Sequence, residues 1–268
     1  MEVFLLPMLS CVLTLLWACF WLFAAVYIFS VGEPTARTDF PFITDVQYDN
    51  KTRGVIAYHA FALLWINAFI VQCVQFVIGA STCLWYFEVS TDTKGKYTLG
   101  RAMYWLTRYH WPSVALGSFI LAVCQAIRLV FEYYRKKMSA VAQTVPLVKI
   151  LLCLTGYLLW MLENCIKYVS KNAYIQIALT SKSFCPAAVD SFCLILKNAH
   201  RFGFANTIGF IYMLFGCTFI TATTCFGTYI FLTNYPQLVL TSPIPTVVVV
   251  GVIACAVGFQ FMSIFSYS

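Results

Sequence analysis

Charge is what this sequence has least of. Of its 268 residues only 10% are Asp, Glu, Lys or Arg, against 61% hydrophobic, and the mean hydropathy is +0.81. Too few polar side chains are present to cover a soluble globule, so the composition describes an integral membrane protein. Histidine is scarce as well. His59, His110 and His200 lie far apart, with no carboxylate or cysteine at metal-ligand spacing, and GxSxG, P-loop and HExxH patterns are missing. No metal site, no cofactor and no enzymatic activity is therefore expected. The twelve cysteines show no CxxC pairing and nearly all stand inside apolar runs, as Cys11, Cys19, Cys73, Cys153, Cys217 and Cys255 do. They read as small buried hydrophobes rather than a disulfide framework. A net charge of +7 is dispersed between the runs, with no aromatic-interleaved basic face that would suit nucleic acid. Internal repeats and low-complexity segments are absent too.

What is abundant is the long apolar run. Segments of at least about 20 apolar residues, enough to cross a hydrocarbon core of roughly 30 Å, stand at 3–31, 55–87, 111–131, 145–168, 204–232 and 244–265. The expected fold is an all-α membrane protein, a polytopic bundle of about six transmembrane helices forming one transmembrane domain over residues 1–268. The first run has Glu2 where a signal peptide would be positive and outlasts a signal's apolar core, so it is expected to be a retained helix. Its start almost at Met1 gives the chain the look of a piece of something longer. Gly79, Ala80 and Ser81 in the second run predict a tilt or a break there. Gly117, Ser118 and Ala122, and Gly203, Gly209 and Gly216, would let helix backbones approach closely.

Loop charges orient the bundle. The segment Gly32 to Gly54 holds Glu33, Asp39, Asp45 and Asp49, and its Asn50-Lys51-Thr52 triplet is a glycosylation acceptor if external. The next loop carries Lys94, Lys96, Arg101 and Arg108 against Asp92, as a cytosolic loop should. Alternation from there puts both termini in the cytosol. Arg135, Lys136 and Lys137 disagree with that scheme, although Glu132 lies one turn away to offset part of their charge.

Residues 172–201 are too charged to cross a bilayer easily and too apolar to be a solvated loop. Ile175, Ala178 and Leu179 fall at helical spacing, and Pro186 suits the first turn of a second helix. This predicts cytosolic amphipathic helices lying in the membrane interface. Lys182 and Arg201 there either touch anionic lipid or stay solvated.

Ionisable groups at membrane depth are the candidates for chemistry. Glu88, Arg128, Glu132 and Glu163 stand at or inside runs, where a charge costs roughly 2.5–3.5 kcal/mol and normally faces a partner or a watery cavity. Arg128 and Glu132 could pair as an i, i+4 bridge, and Glu163 could meet Lys167. Aromatics reach 18%. They form either an interfacial belt or a cage for an organic cation; the cage candidates are Trp65, Trp85, Tyr86, Tyr157 and Trp160, with Glu132 or Glu163 as counter-charge.

One stretch carries a family resemblance. Leu162, Glu163, Ile166, Lys167, Asn172, Ala173, Tyr174, Ile175, Ile177, Ala178, Lys182, Phe184 and Cys185 stand at spacings that resemble the signature of the choline transporter-like proteins. Gly79-Ala80 through Trp85-Tyr86-Phe87 and the run from Ser113 to Tyr133 are similar to further segments of that family. The resemblance covers roughly Trp65 to Phe265. It implies ten membrane helices with cytosolic ends, a large glycosylated external loop after the first, a plasma-membrane location, and carriage of choline or related amines such as ethanolamine. With six runs, the chain resembles the family's C-terminal part; Ser181-Lys182-Ser183 and Pro186 depart from its usual wording.

Three functions remain open on this reading. The first is a carrier of choline or a similar small organic cation. The second is a non-transporting membrane partner or remnant that assembles with other helices, and the third a lipid-scrambling role.

Overall fold

The computed structural model describes residues 5–36, 44–88, 97–138, 146–234 and 242–267. Asp39, Asp92, Lys94 and Lys96, the start of the first run and most of the last loop lie outside them. Twenty-six residues without a charge form helix α1 (Leu5–Ser30), about 39 Å at 1.5 Å per residue and therefore long enough to cross a bilayer. Where the sequence predicted only a loop, a small antiparallel hairpin follows, β1 (Glu33–Ala36) and β2 (Thr44–Gln47), with Glu33 opposite Gln47 and Ala36 opposite Thr44. Thr35, Thr44 and Val46 are β-branched, which suits a pleated ribbon.

Asp49 then accepts the backbone N–H of Asn50 at 2.7 Å and opens α2 (Asn50–Phe87), 38 residues long. Of the tilt or break expected at Gly79–Ser81, the break does not occur, the helix running unbroken to Phe87. Ser81 donates its hydroxyl back to the Val77 carbonyl within the helix, and the small residues serve packing instead: a Cβ on Gly79 would lie 3.3 Å from the Ile175 side chain.

The third run is longer than its hydropathy suggested. Helix α3 (Thr98–Trp105), a π-helical turn (Leu106–His110) and α4 (Trp111–Lys137) follow one another directly. Pro112 explains the wide turn. Its ring has no N–H to donate and would collide with the carbonyl of Arg108 in a regular helix, so the chain widens by one residue there.

A second boundary also differs. Helix α5 (Pro146–Thr180) runs unbroken for 35 residues, through the point where a span and a separate interfacial helix were expected. Lys167 and Lys171 mark a change of solvent, but nothing in that segment breaks a helix. The break comes at Ser181, in the left-handed region at φ 55, its N–H closing on the Ile177 carbonyl at 2.8 Å. Helix α6 (Phe184–Lys197) carries Pro186 in its first turn, as predicted, and α7 (Ala199–Asn234) and α8 (Ile244–Tyr267) complete the chain. Five helical segments are long and apolar enough to cross a membrane, with α8 a shorter apolar helix among the described residues.

The core sits where α2, α4, α5 and α6 meet. Phe76, Val77, Val114, Ala173, Tyr174, Ile177, Phe184 and Ala187 are all buried there. Gly117 makes this possible: a Cβ at that position would collide with the Tyr174 hydroxyl and lie 2.7 Å from the Phe184 ring. Through the gap, Tyr174 donates to the side-chain oxygen of Gln72 on α2. Helix α1 is tied to α2 by Trp21 and His59, whose rings stack at 4.7 Å while the indole N–H donates to the His59 carbonyl. Helices α7 and α8 pack chiefly on each other, with Met262 over Gly216 and Cys217 Sγ 3.8 Å from Cys255 Sγ.

Candidate functional site

A polar cluster inside apolar helices sets the site. Glu163, 5% exposed on α5, accepts from Lys167 Nζ at 2.6 Å one turn away and from Arg128 Nη1 of α4, also at 2.6 Å. The Lys167 pairing is the one the sequence suggested. Arg128 does not bridge to Glu132, which pairs with Arg135 at 2.7 Å instead. A buried carboxylate on the neighbouring helix is a better partner for Arg128 than a half-exposed one on its own, because the low dielectric there strengthens the attraction. One negative and two positive charges leave the cluster with a net positive charge.

Beside it lies a cavity of about 200 Å³ between α2, α4 and α5. Asn67, Gln72 and Gln75 come from α2, Gln125 from α4 and Lys167 from α5. Gln72 and Gln75 share one helical face with Ala68, and Asn67 flanks that face, so α2 gives the cavity a mixed wall of amides and small apolar side chains. Side-chain amides offer both donors and acceptors, which suits a hydroxylated ligand without fixing its charge. Among the described residues no group of three His, Cys, Asp or Glu could hold a metal ion.

The aromatic candidates are not gathered into one cage. Trp65 stands one turn from Ala68 at the cavity, edge-on to Phe119 with ring centres 5.3 Å apart, its indole N–H buried without a hydrogen-bond partner. Trp85 and Tyr86 are exposed at the far end of α2, and Tyr157 and Trp160 pack on each other at 5.9 Å, exposed on α5. The direction of a ring depends on how each helix is rotated about its axis, and in runs that are apolar all round the hydrophobic pattern does not encode that rotation.

The family-signature stretch turns out to be a packing element. Ala173 and Tyr174 are buried, Ile175 packs on Gly79, and Asn172 donates to the Tyr168 carbonyl at 2.8 Å. Phe184 lies 5.9 Å from the Tyr174 ring, Lys182 pairs with Asp190, and Cys185 is exposed. Sequence reasoning missed the glutamines. They are uncharged, yet Gln72 and Gln75 within an apolar run, at the spacing of one face with Ala68, were a legible signal.

The long apolar helices around a polar, ion-paired interior define a multi-pass membrane protein. The family described as plasma-membrane choline transporter matches residues 1–268, and the chain belongs to this choline transporter-like family. It is 31% identical over 269 residues to choline transporter-like protein 2 of Dictyostelium discoideum, covering 100% of this chain and 42% of that protein. Choline transporter-like 2 of Drosophila melanogaster is 32% identical over 218 residues, 81% of this chain and 27% of the other. Choline transporter-like protein 1 of Mus musculus is 27% identical over 253 residues, 94% and 38% respectively. The chain thus spans less than half the length of these relatives.

Proposed function

We propose that this chain forms part of a carrier for choline or a related amine such as ethanolamine, and that the amide-lined cavity between α2, α4 and α5 belongs to the route. The observation that carries this reading is a polar cavity beside a buried, ion-paired glutamate within otherwise apolar helices. In this reading Glu163 supplies the counter-charge and Lys167 occupies it while no amine is bound. A cation within about 5 Å of an undisplaced Lys167 would be repelled by about 3 kcal/mol at an effective dielectric of about 20. Lys167 therefore has to swing away, which its flexible and half-exposed side chain permits; Arg128 keeps its bond. Trp65 contributes a ring face near the cavity. Glu132, Trp85, Tyr86, Tyr157 and Trp160 lie off the route. Net movement of the cation follows the membrane potential, about 2.3 kcal/mol per charge per 100 mV.

The plasma membrane is the proposed location, with both termini cytosolic and Asn50 external and glycosylated. The basic Arg101 and Arg108 on the opposite side of α2 from Asn50 support that orientation. The test is labelled choline uptake into vesicles holding the full-length protein, negative inside. Glu163→Gln and Gln125→Leu should each lower uptake by about tenfold or more, a loss of about 1.4 kcal/mol. Uptake equal to that of the unmodified protein in both variants would sink the reading. A second reading, assembly with further membrane helices, rests on α7, in which Leu232 is the one buried residue; that role predicts co-purification with a partner and no thermal shift with choline.

A further inference from the structure

A second cavity, of about 590 Å³, lies away from the amide-lined one, between the π-helical turn and the link from α5 to α6. His110 lines it and is 8% exposed. Its ring packs 5.4 Å from Phe76 and 6.5 Å from Tyr109, yet it makes no hydrogen bond with any described residue. Its ring nitrogens are taken by no described residue, so a ligand entering the cavity can make a directed hydrogen bond to the ring. The opposite wall is the start of α6. Ser183 takes the N-cap position without using its side chain as a cap, and the first turn holds no acidic residue. The earliest intrahelical bond runs from the Ala187 N–H to the Ser183 carbonyl. The N–H groups of Phe184 and Cys185 precede it, and Pro186 has none. Ser181 and Lys182 complete the wall, with Lys182 held to Asp190 at 2.5 Å.

We propose that this cavity binds a phosphate group. The groups that line it are donors: the Ser113, Ser181 and Ser183 hydroxyls, the His110 ring and the Lys182 ammonium, and the positive end of the α6 dipole begins directly after Ser183. They come from two walls, which suits a tetrahedral oxyanion better than a planar carboxylate. Hydroxyls also accept, so the singly protonated phosphate is accommodated as well. Because Lys182 is already paired with Asp190, recognition relies on directed N–H and O–H groups more than on net charge. The phosphate could belong to a soluble ion or to a lipid headgroup.

The experiment uses the whole chain in nanodiscs with two probes, inorganic phosphate and phosphatidate, followed by phosphorus NMR line broadening. Saturable binding of inorganic phosphate identifies a soluble ligand; saturable binding of phosphatidate alone identifies a lipid headgroup. In either case His110→Phe and Ser183→Ala should each raise the dissociation constant about tenfold or more, the worth of one hydrogen bond to a charged group, and His110→Asn, which restores a donor, should recover most of it. Circular dichroism and size exclusion check that each variant is folded, and Ser183→Ala decides alone if His110→Phe is not. The proposal is overturned if neither probe binds up to millimolar concentrations, or if both variants bind as the unmodified chain does.

Discussion

Gly117→Ala probes the junction of α2, α4, α5 and α6 with a single added methyl group. That methyl would overlap the Tyr174 hydroxyl and lie 2.7 Å and 3.1 Å from two atoms of the Phe184 ring. Tyr174 and Phe184 are both buried, 1% and 6% exposed, so neither can retreat into open space. Overpacking of this kind costs about 1–3 kcal/mol. If Tyr174 withdraws, its bond to Gln72 is lost too, adding about 1–3 kcal/mol for a buried acceptor left unmet. The expected total is about 2–6 kcal/mol, measured by reversible unfolding of the full chain in mixed micelles. Tyr174→Phe alone removes the hydroxyl and should cost the same about 1–3 kcal/mol for the unmet Gln72 acceptor. Combined with Gly117→Ala it should cost at least about 1 kcal/mol less than the sum of the two, because one collision has been removed. A Gly117→Ala protein within about 0.5 kcal/mol of the unmodified chain, or a strictly additive double variant, would refute the packing argument.

Glu163→Ala should destabilise the chain by about 2 kcal/mol, less than the roughly 3–5 kcal/mol of a fully buried pair because Arg128 and Lys167 are partly exposed. Arg128→Gln added to it should recover part of the loss in the same unfolding assay, and a double variant less stable than either single one would contradict the network. Mild oxidation should join Cys217 to Cys255, whose sulfurs are 3.8 Å apart and need to close to about 2 Å. After proteolysis between α7 and α8 the two fragments should then migrate together on a non-reducing gel; separate migration would show that the two helices do not pack in this register.

The apolar runs were legible because hydropathy reports the solvent a segment meets, and the bilayer demands about 20 apolar residues. For the same reason their ends were misjudged. Lys167 and Lys171 told of a change of solvent within α5, while its helical hydrogen bonds carried on to Thr180. Glu163 and Lys167 were readable as a pair since they are one turn apart. Arg128 was not readable as their third member, because its partner stands on another helix, 35 residues away, and local spacing carries no such information. The glutamines were present in the sequence but overshadowed by charge and aromaticity. The hairpin of β1 and β2 had only a few β-branched residues to announce it.

Helix α5 is one unbroken rod of 35 residues, about 52 Å long at 1.5 Å per residue. It touches the amide-lined cavity through Lys167 and ends one residue before Ser181, on the wall of the other. Lys167 and Ser181 are thus about 20 Å apart along a single lever. A tilt of about 10° pivoting near Lys167 would carry the far end through roughly 3–4 Å, comparable with the length of a hydrogen bond. Mechanically, the two cavities share one beam, and any step that leans α5 at one of them redraws the wall of the other.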